Sequence, residues 1–116
     1  LVTNFIPMHA MVFSAELLSN HSFDARLQSH EDWDLIISLL VSGAEFEWMD
    51  CGKNSVTVHL DESGTSRNKN AVTALDYLSI YRKWPAADDS IKKLRSKKLK
   101  ELGIYKFGTK IDYNVL

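Results

Sequence analysis

The sequence is poor in cysteine and proline, and it contains no long hydrophobic run. Cys51 is the only cysteine among 116 residues, so no internal disulfide can form, which favours a reducing compartment. No stretch of about 18 or more apolar residues is present, and no secretory signal pattern is visible at the N-terminus. With 45% hydrophobic and 25% charged residues, the composition is typical of a globular protein with a core.

The net charge of −1 conceals an uneven distribution. Residues 1–66 hold ten acids and two bases, whereas residues 67–116 hold twelve bases and five acids. A basic half of this kind could bind nucleic acid or an anionic membrane. Half of these twelve bases, however, fall in one Lys-rich helical stretch, 88–102, which is typical of a solvated helix face. We therefore expect no nucleic-acid partner.

The spacing of apolar residues predicts both strands and helices. The apolar run 7–13 is short enough for a buried strand, and the stretches 46–49 and 55–60 form a predicted hairpin. Helices are expected to begin at four polar capping positions: Ser14, Ser29, Asn70, and Asp88 or Asp89.

The helix predicted after Ser29 has the clearest pattern. Ser29 and Asp32 have the spacing of a capping box, and one apolar face follows, made of Trp33, Ile36, Ile37 and Leu40. Taken alone, this pattern explains Glu31 and Asp32 as first-turn acids, which the helix dipole favours by about 0.3–1 kcal/mol each. On the same grounds Trp33 is a core residue.

The stretch 23–35, FDARLQSHEDWDL, is the most specific feature of the sequence. It resembles the F-D-x-x-L…E-D-x-D-L signature of family 2 inverting glycosyltransferases. Segment 11–18 is similar to the strand and helix that lead into that signature, and segment 58–67 is similar to the x-H-x-x-x-x-S-x-S segment that follows it. The resemblance covers residues 5–103, and it concerns only the acceptor-side, C-terminal part of the family's catalytic domain.

This resemblance implies an α/β fold. The chain would be a fragment of a GT-A (nucleotide-diphospho-sugar transferase-like) fold, with few strands in a mixed sheet, flanking helices and a helical C-terminal tail. Residues 1–68 would form the acceptor-side part of the catalytic domain, and residues 69–116 a helical extension. So few strands leave open edges, which favours a piece of a larger sheet or self-association through those edges. The missing initiator Met before Leu1 favours the same interpretation, with processing as the alternative.

The resemblance also implies roles for individual residues. Asp32 would be the general base that takes the proton of an acceptor hydroxyl, with Glu31 as a neighbour able to replace it. Contacts to the acceptor would come from Trp33, His9 and His30.

Further implied roles concern the nucleotide diphosphate. His59 would help hold a divalent cation (Mn²⁺ or Mg²⁺) in the full-length enzyme, although an ordinary hydrogen-bonded strand histidine fits equally well. Three loop residues would meet phosphate or acceptor oxygens, with plain solvation as the alternative: Ser63, Ser66 and Arg67. The family's metal-binding D-x-D motif has no counterpart here, since the only such triplet, residues 32–34, belongs to the predicted helix. We therefore expect the chain alone to bind neither a nucleotide sugar nor a cation tightly.

Two functions are compatible with these observations. The first is the C-terminal portion of a glycosyltransferase that moves a sugar from a nucleotide-diphosphate sugar to a glycan or other hydroxyl acceptor with inversion, inactive by itself. Its location would be cytoplasmic, with peripheral association at the inner face of the membrane. The alternative is a non-catalytic binding module whose Lys-rich helix 88–102 binds an anionic partner, an interaction that salt would weaken.

Overall fold

The computed structural model describes residues 2–50, 52, 70–104, 111, 112, 114 and 116. Along these residues a short 3-10 helix, Met8–Ala10, precedes four α-helices: α1 (Ala15–Leu18), α2 (Glu31–Val41), α3 (Asn70–Lys83) and α4 (Asp89–Glu101). Within these ranges the regular structure is entirely helical. None of the helices described is long and apolar enough to cross a membrane.

The predicted α/β fold, a GT-A fragment with strands in a mixed sheet, is therefore wrong for the part of the chain that the structure describes. The apolar run 7–13 contains the 3-10 helix Met8–Ala10 instead of a strand, closed by the hydrogen bond from Met11 N to Met8 O at 3.1 Å. The stretch 46–49 is irregular. A strand needs a neighbour for its backbone hydrogen bonds, and no described segment pairs with either stretch. The predicted strand 55–60 lies outside the described residues.

Local capping explains where the helices begin and end. Ser14 Oγ accepts the Leu17 N–H at 3.1 Å and starts α1, while an Asp88 carboxylate oxygen accepts the Ser90 N–H at 2.6 Å and starts α4. Both predicted caps are confirmed. The hydrogen bonds to the Asp88 carboxylate lower its pKa, with the Ser90 contribution the largest. Gly43 ends α2 with φ of 89°, a left-handed conformation that glycine adopts without steric cost.

The capping box predicted for α2 is not formed. The helix begins one residue later than that box requires, with His30 at the N-cap and no side-chain cap bond. The Ser29 hydroxyl is engaged elsewhere, because it donates to Asp76 Oδ2 at 2.9 Å. Asp32 bonds the N–H of the next residue, Trp33, at 2.7 Å rather than reaching back to Ser29.

One core is shared by α2, α3, α4 and the end of the chain. Its aromatic centre is Trp33, Tyr77 and Tyr81, whose ring centroids lie 4.8–6.0 Å apart in tilted or edge-to-face contacts. Aliphatic side chains complete this core: Ile37, Ala74, Ile80, Leu99, Ile104 and Leu116. On α3, Tyr77 and Ile80 face this core, whereas Leu75 is 59% exposed.

Candidate functional site

The two predicted catalytic acids are the first two residues of α2. Asp32 Oδ1 accepts two hydrogen bonds, from Trp33 N at 2.7 Å and from Asn4 Nδ2 at 3.3 Å. No hydrogen bond to Asp32 Oδ2 is formed by the described residues. One oxygen of the carboxylate is thus held in place by two N–H donors.

Glu31 is held less firmly than Asp32. Its Oε2 atom is buried and has no hydrogen-bond partner among the described residues. Buried carboxylate oxygens are normally hydrogen-bonded, so this one is exceptional. Of the two acids, Asp32 therefore has the better defined orientation.

The predicted acceptor residues occupy three different environments. His30 caps α2, its Nδ1 lies 2.7 Å from Ser29 Oγ, and its ring meets Tyr77 edge-on at 4.9 Å. Trp33 is 2% exposed and packs in the core, so it offers no open platform for a sugar. His9 is exposed in the 3-10 helix, and no described contact joins it to the acidic pair.

The predicted metal and phosphate residues His59, Ser63, Ser66 and Arg67 lie outside the described residues. Among the residues that are described, no three His, Cys, Asp or Glu side chains come together as ligands for a metal ion. The described residues therefore do not provide the donor set that a divalent cation needs.

A buried aspartate on α3 fixes the chain just before the acidic pair. Asp76 is 5% exposed, and its Oδ2 accepts from Gln28 N at 3.1 Å, from Ser29 N at 2.8 Å and from Ser29 Oγ at 2.9 Å. Hydrogen bonds to a carboxylate are roughly twice as strong as neutral ones. This side chain therefore helps to position the start of α2, and with it Glu31 and Asp32.

Replacing Asp76 with asparagine should lower the free energy of unfolding by about 1–3 kcal/mol, because the charge-assisted bonds from three donors to this buried carboxylate are lost or weakened. Urea unfolding followed by circular dichroism measures this. Asp50→Asn, at an exposed position, is the control and should change stability by less than about 0.5 kcal/mol. Equal stability of the two variants would show that Asp76 does not fix this segment.

A group of hydrogen-bonded charged side chains connects the two ends of stretch 23–35, the stretch that resembles the family 2 signature. Asp34 is 1% exposed and accepts from Trp84 Nε1 at 2.7 Å and from Lys83 Nζ at 2.6 Å. Lys83 Nζ also reaches Asp24 Oδ2 at 3.3 Å. Arg26, through its hydrogen bonds to the Asp24 carboxylate, holds the pKa of Asp24 well below its usual range. These aspartates tie the segment before α2, and α2 itself, to the end of α3.

The Lys-rich helix α4 turns part of its positive charge toward the core. Arg95 is 4% exposed, and its Nη1 donates to the backbone carbonyls of Trp84 and Leu116. Burial lowers the pKa of Arg95. Lys98 Nζ lies 5.9 Å from the ring centroid of Tyr77, a cation–π distance. The exposed lysines of this helix are Lys93, Lys97 and Lys100.

The sequence singled out Glu31 and Asp32, a prediction that stays untested, and gave no role to Asp34, Asp76 or Arg95. The available signal was a charged residue within or beside an apolar helical face, which predicts a buried and paired group. Chemically, the first turn of α2 offers an oriented carboxylate, one oxygen of which has no partner among the described residues, an arrangement that suits proton transfer. Comparison with known proteins adds no family assignment, since no family model, no curated protein and no solved structure matches the chain.

Proposed function

We propose that this chain is the acceptor side of an inverting glycosyltransferase and acts as part of a longer protein. The reaction transfers a sugar from a nucleotide-diphosphate sugar to a hydroxyl of a glycan or other acceptor. The main support for this proposal is the hydrogen bonding of the Asp32 carboxylate. Its Oδ1 accepts from two N–H donors, whereas its Oδ2 has no partner among the described residues. The resemblance of stretch 23–35 to the family 2 signature supports it.

In the proposed reaction, an acceptor hydroxyl oxygen forms a bond to the anomeric carbon of the donor sugar. The bond from that carbon to the nucleotide diphosphate breaks on the opposite side, and the diphosphate leaves with the electron pair. The hydroxyl proton moves to Asp32 Oδ2. A base within about 2.6–3.2 Å of the hydroxyl contributes roughly 10²–10⁴ to the rate.

Other residues of the chain act by holding Asp32 in position. The Asn4 amide and the Trp33 N–H orient the carboxylate, while Asp76 fixes the segment that leads into α2. Trp33 anchors the first turn in the core. A divalent cation and the diphosphate would be held by the nucleotide-binding part of the longer protein, and no step proposed for the described residues passes through a metal. The resemblance favours a cytoplasmic location.

The alternative function, a binding module that uses helix 88–102, has less support. Such a module needs several basic side chains free to meet an anionic surface. Arg95 is buried against backbone carbonyls, and Lys98 lies over the Tyr77 ring. Two of the six basic side chains that suggested the module are thus engaged in packing, while Lys93, Lys97 and Lys100 are exposed.

Transfer by the longer protein tests the proposed function. The measurement is acceptor-dependent release of nucleoside diphosphate, with a panel of nucleotide sugars and glycan acceptors and with Mn²⁺ or Mg²⁺ present. We expect release with the longer protein and none with these 116 residues alone. The isolated chain should also give no calorimetric signal with any donor. Tight donor binding by the chain alone, or no transfer by the longer protein with any pair, would contradict the proposal.

A further inference from the structure

An apolar cavity of about 220 Å³ opens beside the first turn of α2. Trp33 and Ile36 are buried in its wall, while Phe5, Leu40 and Phe46 line it with 72%, 41% and 46% of their surface exposed. The cavity therefore has a closed side within the core and an accessible side at the surface.

The cavity lies next to the proposed base. Asn4 lines the cavity and also donates from Nδ2 to Asp32 Oδ1 at 3.3 Å. Trp33 lines it too, and its backbone N–H bonds the same oxygen at 2.7 Å. Two wall residues are thus in direct contact with the Asp32 carboxylate, so a group bound in the cavity lies close to the proposed site of proton transfer.

The walls select against a bare sugar. A sugar has a hydroxyl on nearly every carbon, and burying a hydroxyl without a hydrogen bond is unfavourable. The exposed rings of Phe5 and Phe46 favour an aromatic ligand, because aromatic rings pair favourably in offset or edge-to-face contact. A cavity of about 150 Å³ is known to hold benzene, so this larger one has room for one or two fused rings.

We propose that this cavity binds the aromatic group of an amphipathic acceptor and that the acceptor hydroxyl then lies at Asp32. The second half of this inference rests on the proposed function, whereas the first half concerns binding alone. The acceptor class is accordingly a hydroxyl compound or glycoside that carries an aryl group.

The test is a nuclear magnetic resonance titration of the chain with 2-naphthyl β-glucoside and, separately, with methyl β-glucoside. The naphthyl compound should bind at least about tenfold tighter, a difference of about 1.4 kcal/mol. Leu40→Trp, which fills the mouth of the cavity, should weaken naphthyl binding at least tenfold, and Phe46→Ala should weaken it several-fold. Leu75→Trp places the same indole at an exposed position of α3 outside the cavity wall and should leave binding unchanged.

Equal binding of the two glucosides, no binding of either, or an equal loss in Leu40→Trp and Leu75→Trp would overturn the inference. Asp32→Asn should keep naphthyl binding, because the Asn4 and Trp33 contacts need only an oxygen at Oδ1. If the naphthyl compound binds but Asp32→Asn leaves transfer by the longer protein unchanged, the proposed function fails while aryl binding stands. If transfer needs Asp32 but no aryl compound binds, the cavity inference alone fails.

Discussion

Replacing Asp34 with alanine should lower the free energy of unfolding by about 3 kcal/mol, the low end of the range for breaking a buried ion pair. The carboxylate is 1% exposed and accepts from Trp84 Nε1 at 2.7 Å and from Lys83 Nζ at 2.6 Å. Its removal leaves an indole N–H without its acceptor and an ammonium group without its closest partner. Because the Lys83 side chain is 38% exposed, water and Asp24 can recover part of the loss.

Urea unfolding, followed by tryptophan fluorescence and circular dichroism together, measures this effect. The free energy of unfolding of Asp34→Asn should lie between those of wild type and Asp34→Ala, since the asparagine amide oxygen can still accept from Trp84 Nε1. Asp50→Ala is the matched control at an exposed site and should differ from wild type by less than about 0.5 kcal/mol. An Asp34→Ala protein as stable as Asp50→Ala would mean that the Asp34 cluster does not hold α2 to α3.

Local sequence signals correctly predicted the caps of α1 and α4, but not that of α2, where the Ser29 hydroxyl bonds Asp76 instead. Ser14 and Asp88 each bond an N–H two or three residues ahead, so short-range spacing contains the whole interaction. The run 7–13 illustrates the opposite case. A short apolar stretch fits a buried strand or a helical turn equally well, and only the presence of a pairing strand decides between them.

The acids at the start of α2 could be predicted because their spacing and the signature stretch are both local. Their supporting contacts could not, because the partners are distant in sequence. Asp76 bonds Ser29 from 47 residues away, and Asp34 bonds Trp84 from 50 residues away. Sequence spacing indicates that a charge within an apolar helix needs a partner, but it does not identify that partner.

Asp32→Asn should reduce the rate of sugar transfer by at least about a hundredfold, the lower limit for loss of a general base. The substitution is nearly isosteric, and its amide oxygen can replace Oδ1 as the acceptor for Asn4 Nδ2 and Trp33 N. The other oxygen becomes an NH₂ group, which cannot take a proton. The fold should therefore be preserved while proton transfer is lost. Glu31→Gln should reduce the rate of sugar transfer less than Asp32→Asn does, because no described hydrogen bond orients the Glu31 carboxylate.

The most direct test compares transfer rates of the longer protein carrying Asp32→Asn with those of the same protein carrying Asp50→Asn, at saturating donor and acceptor. Unfolding midpoints measured alongside establish that both variants are folded. We predict that the transfer rate of Asp32→Asn is at least about a hundredfold lower than that of wild type, while the rate of Asp50→Asn stays within about twofold of it. Full activity of a folded Asp32→Asn protein would contradict the account, and the two acids would then serve only to begin α2.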